Sequence, residues 1–168
     1  KGGTRMFKVR VLLQFRDLTT KNKETRKPGD IYTIDSLERL EVLLGKNPRK
    51  SKFVELIEIK KQCPTIHNDK KIVIFQDLLY QIGGIETFVF NLAKNFKEYN
   101  IVVMARSFAI PQMMALSKYA HVQVDNGERI ECDVLILGNY NCDYILQRVR
   151  AKKIYQMIHA DWRGIKQL

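Results

Sequence analysis

From Lys70 onward, short continuous apolar runs alternate with segments of helical periodicity, and this alternation limits the possible folds more than any other feature of the chain. KIVIF (71–75), IVVMA (101–105), HVQV (121–124), DVLIL (133–137) and KIYQMI (153–158) read as five strands. Runs of this length without a polar alternation suit strands covered on both sides, as in a parallel sheet. IETFVFNLAKNF carries Phe88, Leu92 and Phe96 at helical spacing, PQMMALSKYA places Pro111 in a first helical turn, and CDYILQRVR supplies a helix before the last strand. The expected class is therefore α/β: a Rossmann-like parallel sheet with helices on both faces.

In such sheets ligands lie at the carboxyl ends of the strands. Gly83 and Gly84 fall there, after the first strand and ahead of a helix. Small residues let a ligand approach the main chain, and the N-terminus of a helix stabilises negative charge, so a phosphate is the guest these residues favour. The bland reading is a tight turn. The pattern is neither GxGxxG nor GxxxxGK[ST], and IVVMARS ends in Arg106 where an acidic residue would hold a ribose, which disfavours a dinucleotide site and a P-loop. Glu86, one turn into the helix, fits helix N-terminal electrostatics better than a base.

The first sixty residues read differently. MFKVRV alternates as a half-buried strand, KPGD supplies a turn, IYTI a short strand, SLERLEVLLG a helix capped by Asp35 or Ser36 and stopped at Gly45, and KFVELIEIK a returning strand. This is a ββαβ-like α+β module over residues 6–61, with KKQCPTIHNDKK as linker and the Rossmann-like domain over 70–168, each expected to have its own core. The net charge of +11 is concentrated in this module. Sixteen basic residues stand against eight acidic ones through Cys63, and thirteen against ten beyond it. An anionic polymer or membrane surface is the partner such a module would attract, and a solvated basic surface is the alternative. Its aromatic residues Phe7, Phe15, Tyr32 and Phe53 interleave only thinly with basic residues, and two of them fit a core alternation better than a stacking platform, so nucleic-acid binding is the weaker reading.

Cys63, Cys132 and Cys142 form no CxxC pair, leaving free thiols, no disulfide framework and no metal site. No apolar run reaches membrane-span length and no signal peptide is recognisable, so the expected location is cytoplasmic, with peripheral membrane association as a variant; the Met113–Met114 pair reads better as core packing than as a lipid-contact patch. Lys1 to Arg5 precede a methionine and read as a cloning remnant.

Two resemblances follow from these motifs. FRDLTT, KPGDIYTI, the SLERLEVLLG helix and FVELIEI resemble a small module of bacteriophage head-tail and structural proteins, which implies assembly and no catalysis. GGIETFVFNLAKNF after KIVIF, with IHADW after the fifth strand, resembles the N-terminal, acceptor-side domain of family 4 retaining GT-B glycosyltransferases. The likeness spans Lys70 to Leu168 and implies transfer of a sugar from a nucleotide-sugar donor to a cell-surface or membrane-linked acceptor, with no further cofactor. It places Gly83, Gly84 and Glu86 at the cleft near the donor phosphates and His159 beside the transferred sugar, with Asp161 orienting that imidazole. Asn139 and Tyr140, after DVLILG, would touch the acceptor. The family's second lobe, with glutamates in an E-x7-E arrangement, has no counterpart here. The expectation is an N-terminal fragment, inactive alone. The competing class is a noncatalytic adaptor in which the sheet is only scaffold.

Overall fold

The computed structural model describes residues 6–19, 23–60, 68–80, 83–138 and 140–157. Ten strands and three α-helices follow in the order β1 (Phe7–Val11), β2 (Phe15–Arg16), β3 (Thr25–Arg26), β4 (Ile31–Ile34), α1 (Leu37–Leu43), β5 (Val54–Ile59), β6 (Asn68–Leu79), α2 (Gly84–Asn95), β7 (Tyr99–Phe108), α3 (Ile110–Leu116), β8 (His121–Val124), β9 (Ile130–Leu137), a 3-10 helix (Tyr140–Arg148) and β10 (Val149–Gln156). Local chemistry sets the ends of these elements. The Ser36 hydroxyl accepts from the Arg39 amide to cap α1, and Gly45 follows the helix at φ +116°, a conformation costly for any other residue. Pro111 sits in the first turn of α3, where its missing N–H costs nothing.

Eight strands form one mixed α/β sheet in the order β10-β9-β6-β7-β8-β5-β1-β4. The first four pairings in that order are parallel and the last three antiparallel. Numbered along the chain, the parallel strands lie in the order 3-2-1-4-5, which is compatible with a Rossmann-like fold.

Two expectations are corrected here. Separate cores for the two sequence regions are not what the buried side chains form. β5 pairs with β8 through Glu58↔Gln123 and Ile59↔Val122, and Phe7, Val9, Leu40 and Val54 share one cluster with Ile74, Val89, Ile101 and Met113. The physical reason is the strand edge: β5 pairs with β1 on one side, and the Glu58–Ile59 end of its other edge pairs with β8. The linker residues 61–67 lie outside the described residues.

Among the described residues the three α-helices share one face, and the helix expected in CDYILQRVR is a 3-10 helix on the other. The buried residues of α1, α2 and α3 all belong to the same cluster. The second cluster, with Val73, Phe75, Met104, Leu135 and Leu137, is covered among the described residues by Ile145 of the 3-10 helix. Five residues, Asp125–Arg129, connect β8 to β9, too few for a crossover helix. Instead the Asp125 and Asn126 side chains accept from the amides of Gly127 and Glu128 at 3.1 Å, and Arg148 holds the turn through the Glu128 carbonyl at 2.7 Å and the Asp125 carboxylate. In α2 the fully buried residues are Val89 and Ala93, while Phe88 and Phe96 of the expected stripe are 39% and 43% exposed.

Candidate functional site at the carboxyl edge of the parallel strands

The strand order reverses between β6 and β9, because β7 and β8 lie to one side of β6 and β9 and β10 to the other. In open sheets of this kind, ligands bind outside the carboxyl ends of the strands at such a reversal point. β6 leads into Gly83, Gly84 and α2, and β9 leads into Gly138.

Neither glycine of the pair is required by backbone conformation. Gly83 is the N-cap of α2 at φ −128°, ψ −171°, extended backbone open to any residue. A side chain at Gly83 would meet Glu86 Oε2 at 2.8 Å, because Glu86 is folded back over the first turn. Its position three residues after the cap is the one from which a glutamate reaches the helix start, where its charge is favourable. Gly84, the first helical residue, has a φ outside the left-handed range, and an added Cβ would meet nothing within 4 Å. Both glycines are exposed. The tight-turn reading therefore explains neither, and among the described residues nothing fills the space in front of Gly84.

Two further groups at this edge escaped the sequence reading, which ended the first strand at Phe75. β6 continues through Gln76 to Leu79. Gln76 is 1% exposed, and neither its Oε1 nor its Nε2 has a hydrogen-bond partner among the described residues. The Gly138 amide donates to the Phe75 carbonyl at 2.9 Å, which sets Gly138 beside Gln76. A Cβ on Gly138 would overlap the Gln76 carboxamide. The next residue, Asp77, receives Arg106 of β7 through both guanidinium nitrogens, one at 2.7 Å. Arg106 also lies over the Tyr144 ring at 5.7 Å, and Tyr144 packs edge-on against Phe75 at 5.9 Å. The signal for both groups was Gln-Asp inside an otherwise apolar run, followed far along the chain by a glycine directly after DVLIL.

Among the other expected site residues, Asn139, His159 and Asp161 lie outside the described residues, and Tyr140 opens the 3-10 helix at the carboxyl end of β9. Cys132 is a free thiol whose pKa burial pushes up, which makes it a poor nucleophile. Cys63 lies outside the described residues. Among the described residues no group of three metal-ligating side chains occurs, and no helix is long and apolar enough to cross a membrane.

A groove of about 710 Å³ runs along the seam of β5 and β8 and reaches Arg106, Ser107 and Phe108 at the carboxyl end of β7. Its charges compensate each other: Lys8 pairs with Glu58 at 3.1 Å and Arg10 with Glu55 at 2.9 Å. His121 Nε2 stands 3.3 Å from Glu58. Burial holds its pKa below the ordinary imidazole value despite that carboxylate, with Lys60, Lys71 and Lys8 adding in the same direction. Several of its cations and carboxylates are already paired with each other, which leaves those groups less to offer a ligand.

In the basic N-terminal module, Phe7 is buried, and Phe15 lies 5.6 Å from Phe53 and 6.5 Å from Tyr32, all three packed on the core. Aromatic stacking on an exposed face has no support in these residues. Asp17, 3% exposed, accepts from the Thr19 hydroxyl at 2.8 Å and amide at 3.2 Å, and it pairs with Arg39 and Arg26. Burial raises the carboxyl pKa, but the Thr19 bonds and the two guanidinium groups outweigh it and leave the pKa below the ordinary carboxylate value.

No family model matches the chain, and no curated protein or solved structure matches it, so the functional reading rests on the geometry of this edge.

Proposed function

We propose that the chain is the acceptor-side half of a retaining GT-B glycosyltransferase, acting on a nucleotide-sugar donor and a cell-surface or membrane-linked acceptor. One observation carries this reading: an exposed glycine, Gly84, with no conformational or steric need to be glycine, opens the helix after the first strand of a sheet ordered 3-2-1-4-5. In this role the free N–H groups at the start of α2 face the donor diphosphate and stabilise the charge that develops as the sugar leaves. His159 and Asp161 act beside the transferred sugar, and Asn139 and Tyr140 meet the acceptor. The basic N-terminal module holds the enzyme near an anionic surface.

Gly84→Ala in the full-length gene product tests the proposal. Alanine fits the φ and the space at this position and favours helix over glycine, so melting stays within about 1 kcal/mol of the parent or improves. Turnover of a nucleotide sugar falls at least tenfold, because the methyl group occupies the approach to the phosphates. Unchanged turnover in the variant defeats the phosphate seat. Absence of turnover in the parent, across uridine, guanosine and adenosine diphosphate sugars, favours the noncatalytic adaptor.

A further inference from the structure

The Gln76 carboxamide is an unusual group to bury. It can donate two hydrogen bonds and accept two, yet it makes none among the described residues. Burying an amide without partners is unfavourable, and an apolar side chain of similar length would fill the same volume without that cost. The neighbouring strand accommodates it all the same. Gly138 has no side chain where the Gln76 head lies, so that head reaches from β6 across to the end of β9. The place it reaches is the point where the strand order reverses.

We propose that Gln76, seated on Gly138, is the floor of the ligand crevice and orients a neutral group that both donates and accepts hydrogen bonds, namely a hydroxyl of the sugar. A carboxamide presents an N–H and a carbonyl side by side, which matches a hydroxyl. A phosphate, which only accepts, would satisfy the N–H and face the carbonyl unfavourably. The phosphates belong to the open helix start at Gly84 and the hydroxyl to Gln76, so one crevice sorts the two ends of a glycosyl phosphate. This rests on the glycosyltransferase reading and adds a residue that selects the sugar.

The test compares UDP-glucose with UDP, and GDP-mannose with GDP, by calorimetry on the full-length protein carrying Gln76→Leu. The sugar contributes an affinity increment in the parent, and the variant loses about tenfold of it while UDP and GDP bind as before. Gln76→Leu melts at or above the parent temperature, because two buried polar atoms without partners are removed. Gly138→Ala, which displaces the carboxamide without altering it, reduces the same increment. A folded Gln76→Leu protein with its sugar increment intact overturns the role of Gln76 and leaves the phosphate seat standing. A Gln76→Leu protein that fails to fold also overturns it, because the carboxamide is then structural. A parent that binds none of the four compounds overturns both readings together.

Discussion

The two-stranded β2–β3 sheet and the parallel half of the large sheet each have a buried polar side chain, Asp17 and Gln76, in opposite surroundings. Asp17 beside the antiparallel strands is 3% exposed and surrounded by donors from Thr19, Arg26 and Arg39. Gln76 in the parallel half is 1% exposed and has no partner among the described residues. A buried polar group with all its bonds made holds a structure together, and removing one partner leaves the others stranded. A buried polar group with none destabilises the fold it sits in, and its retention is better explained by what it meets from outside. The contrast holds for these two side chains and not for every polar atom around them, since Arg26 Nε and Tyr32 Oη are also buried without partners among the described residues.

The largest effect that would break the contrast is expected at Asp17. Asp17→Ala strands two guanidinium groups that are about a quarter exposed, and it should lower stability by about 2–4 kcal/mol in urea unfolding. A loss below about 1 kcal/mol would show that the network is dispensable and the comparison empty.

A smaller effect lies at the seam where the halves meet. Burial depresses the His121 pKa, so the folded protein disfavours the imidazolium. The stability that His121 contributes is complete above its unfolded value of 6.5 and falls as pH drops from there toward the lower folded pKa. The Asp17 contribution, from a carboxyl also depressed, is complete above 3.8 and is lost at more acidic pH. Acid unfolding should therefore show two stages. His121→Gln should flatten the first and leave the second, as read from melting temperature against pH; parallel curves for variant and parent would remove the histidine from the seam's energetics.

The smallest effect concerns Glu86, whose carboxylate lies over the first turn of α2. In the proposed seat it competes with a phosphate for the same helix end, so Glu86→Gln should tighten binding of UDP by about two- to fivefold, with a stability loss of a few tenths of a kcal/mol. Weaker binding in this variant would make Glu86 a ligand contact and sharpen the division of the crevice differently.

Much of the element order could be read from the chain, because it depends on neighbours. The α1 cap at Ser36, the stop at Gly45, Pro111 in α3 and the turn at Gly29, where the Asp30 amide donates to the Lys27 carbonyl at 3.0 Å, are each set within a few residues. The pairing of Ile59 with Val122 has no local signal, and it is what merges two expected cores into one sheet. The second missing layer of helix had a visible cause in DNGER, too short and too turn-prone for a crossover helix. At the site, Gly83 and Gly84 were found from their place after a strand. Gln76 and Gly138 were missed because sixty-two positions separate them and their meaning appears only when β6 and β9 lie side by side.

The β5–β8 pairing also sets a schedule for the chain as it is made. β1, β4 and β5 are complete once Ile59 has been added, but the strand that covers the open edge of β5 begins only at His121. At roughly 5–20 residues per second, a ribosome leaves that edge uncovered for roughly 3–12 s. An edge reading VELIEI is a template for wrong partners during that interval. Glu55 and Glu58 interrupt it with charge, and the β1 residues that pair with them, Arg10 and Lys8, are already made, so a charged pair punctuates the edge while β8 is still to come.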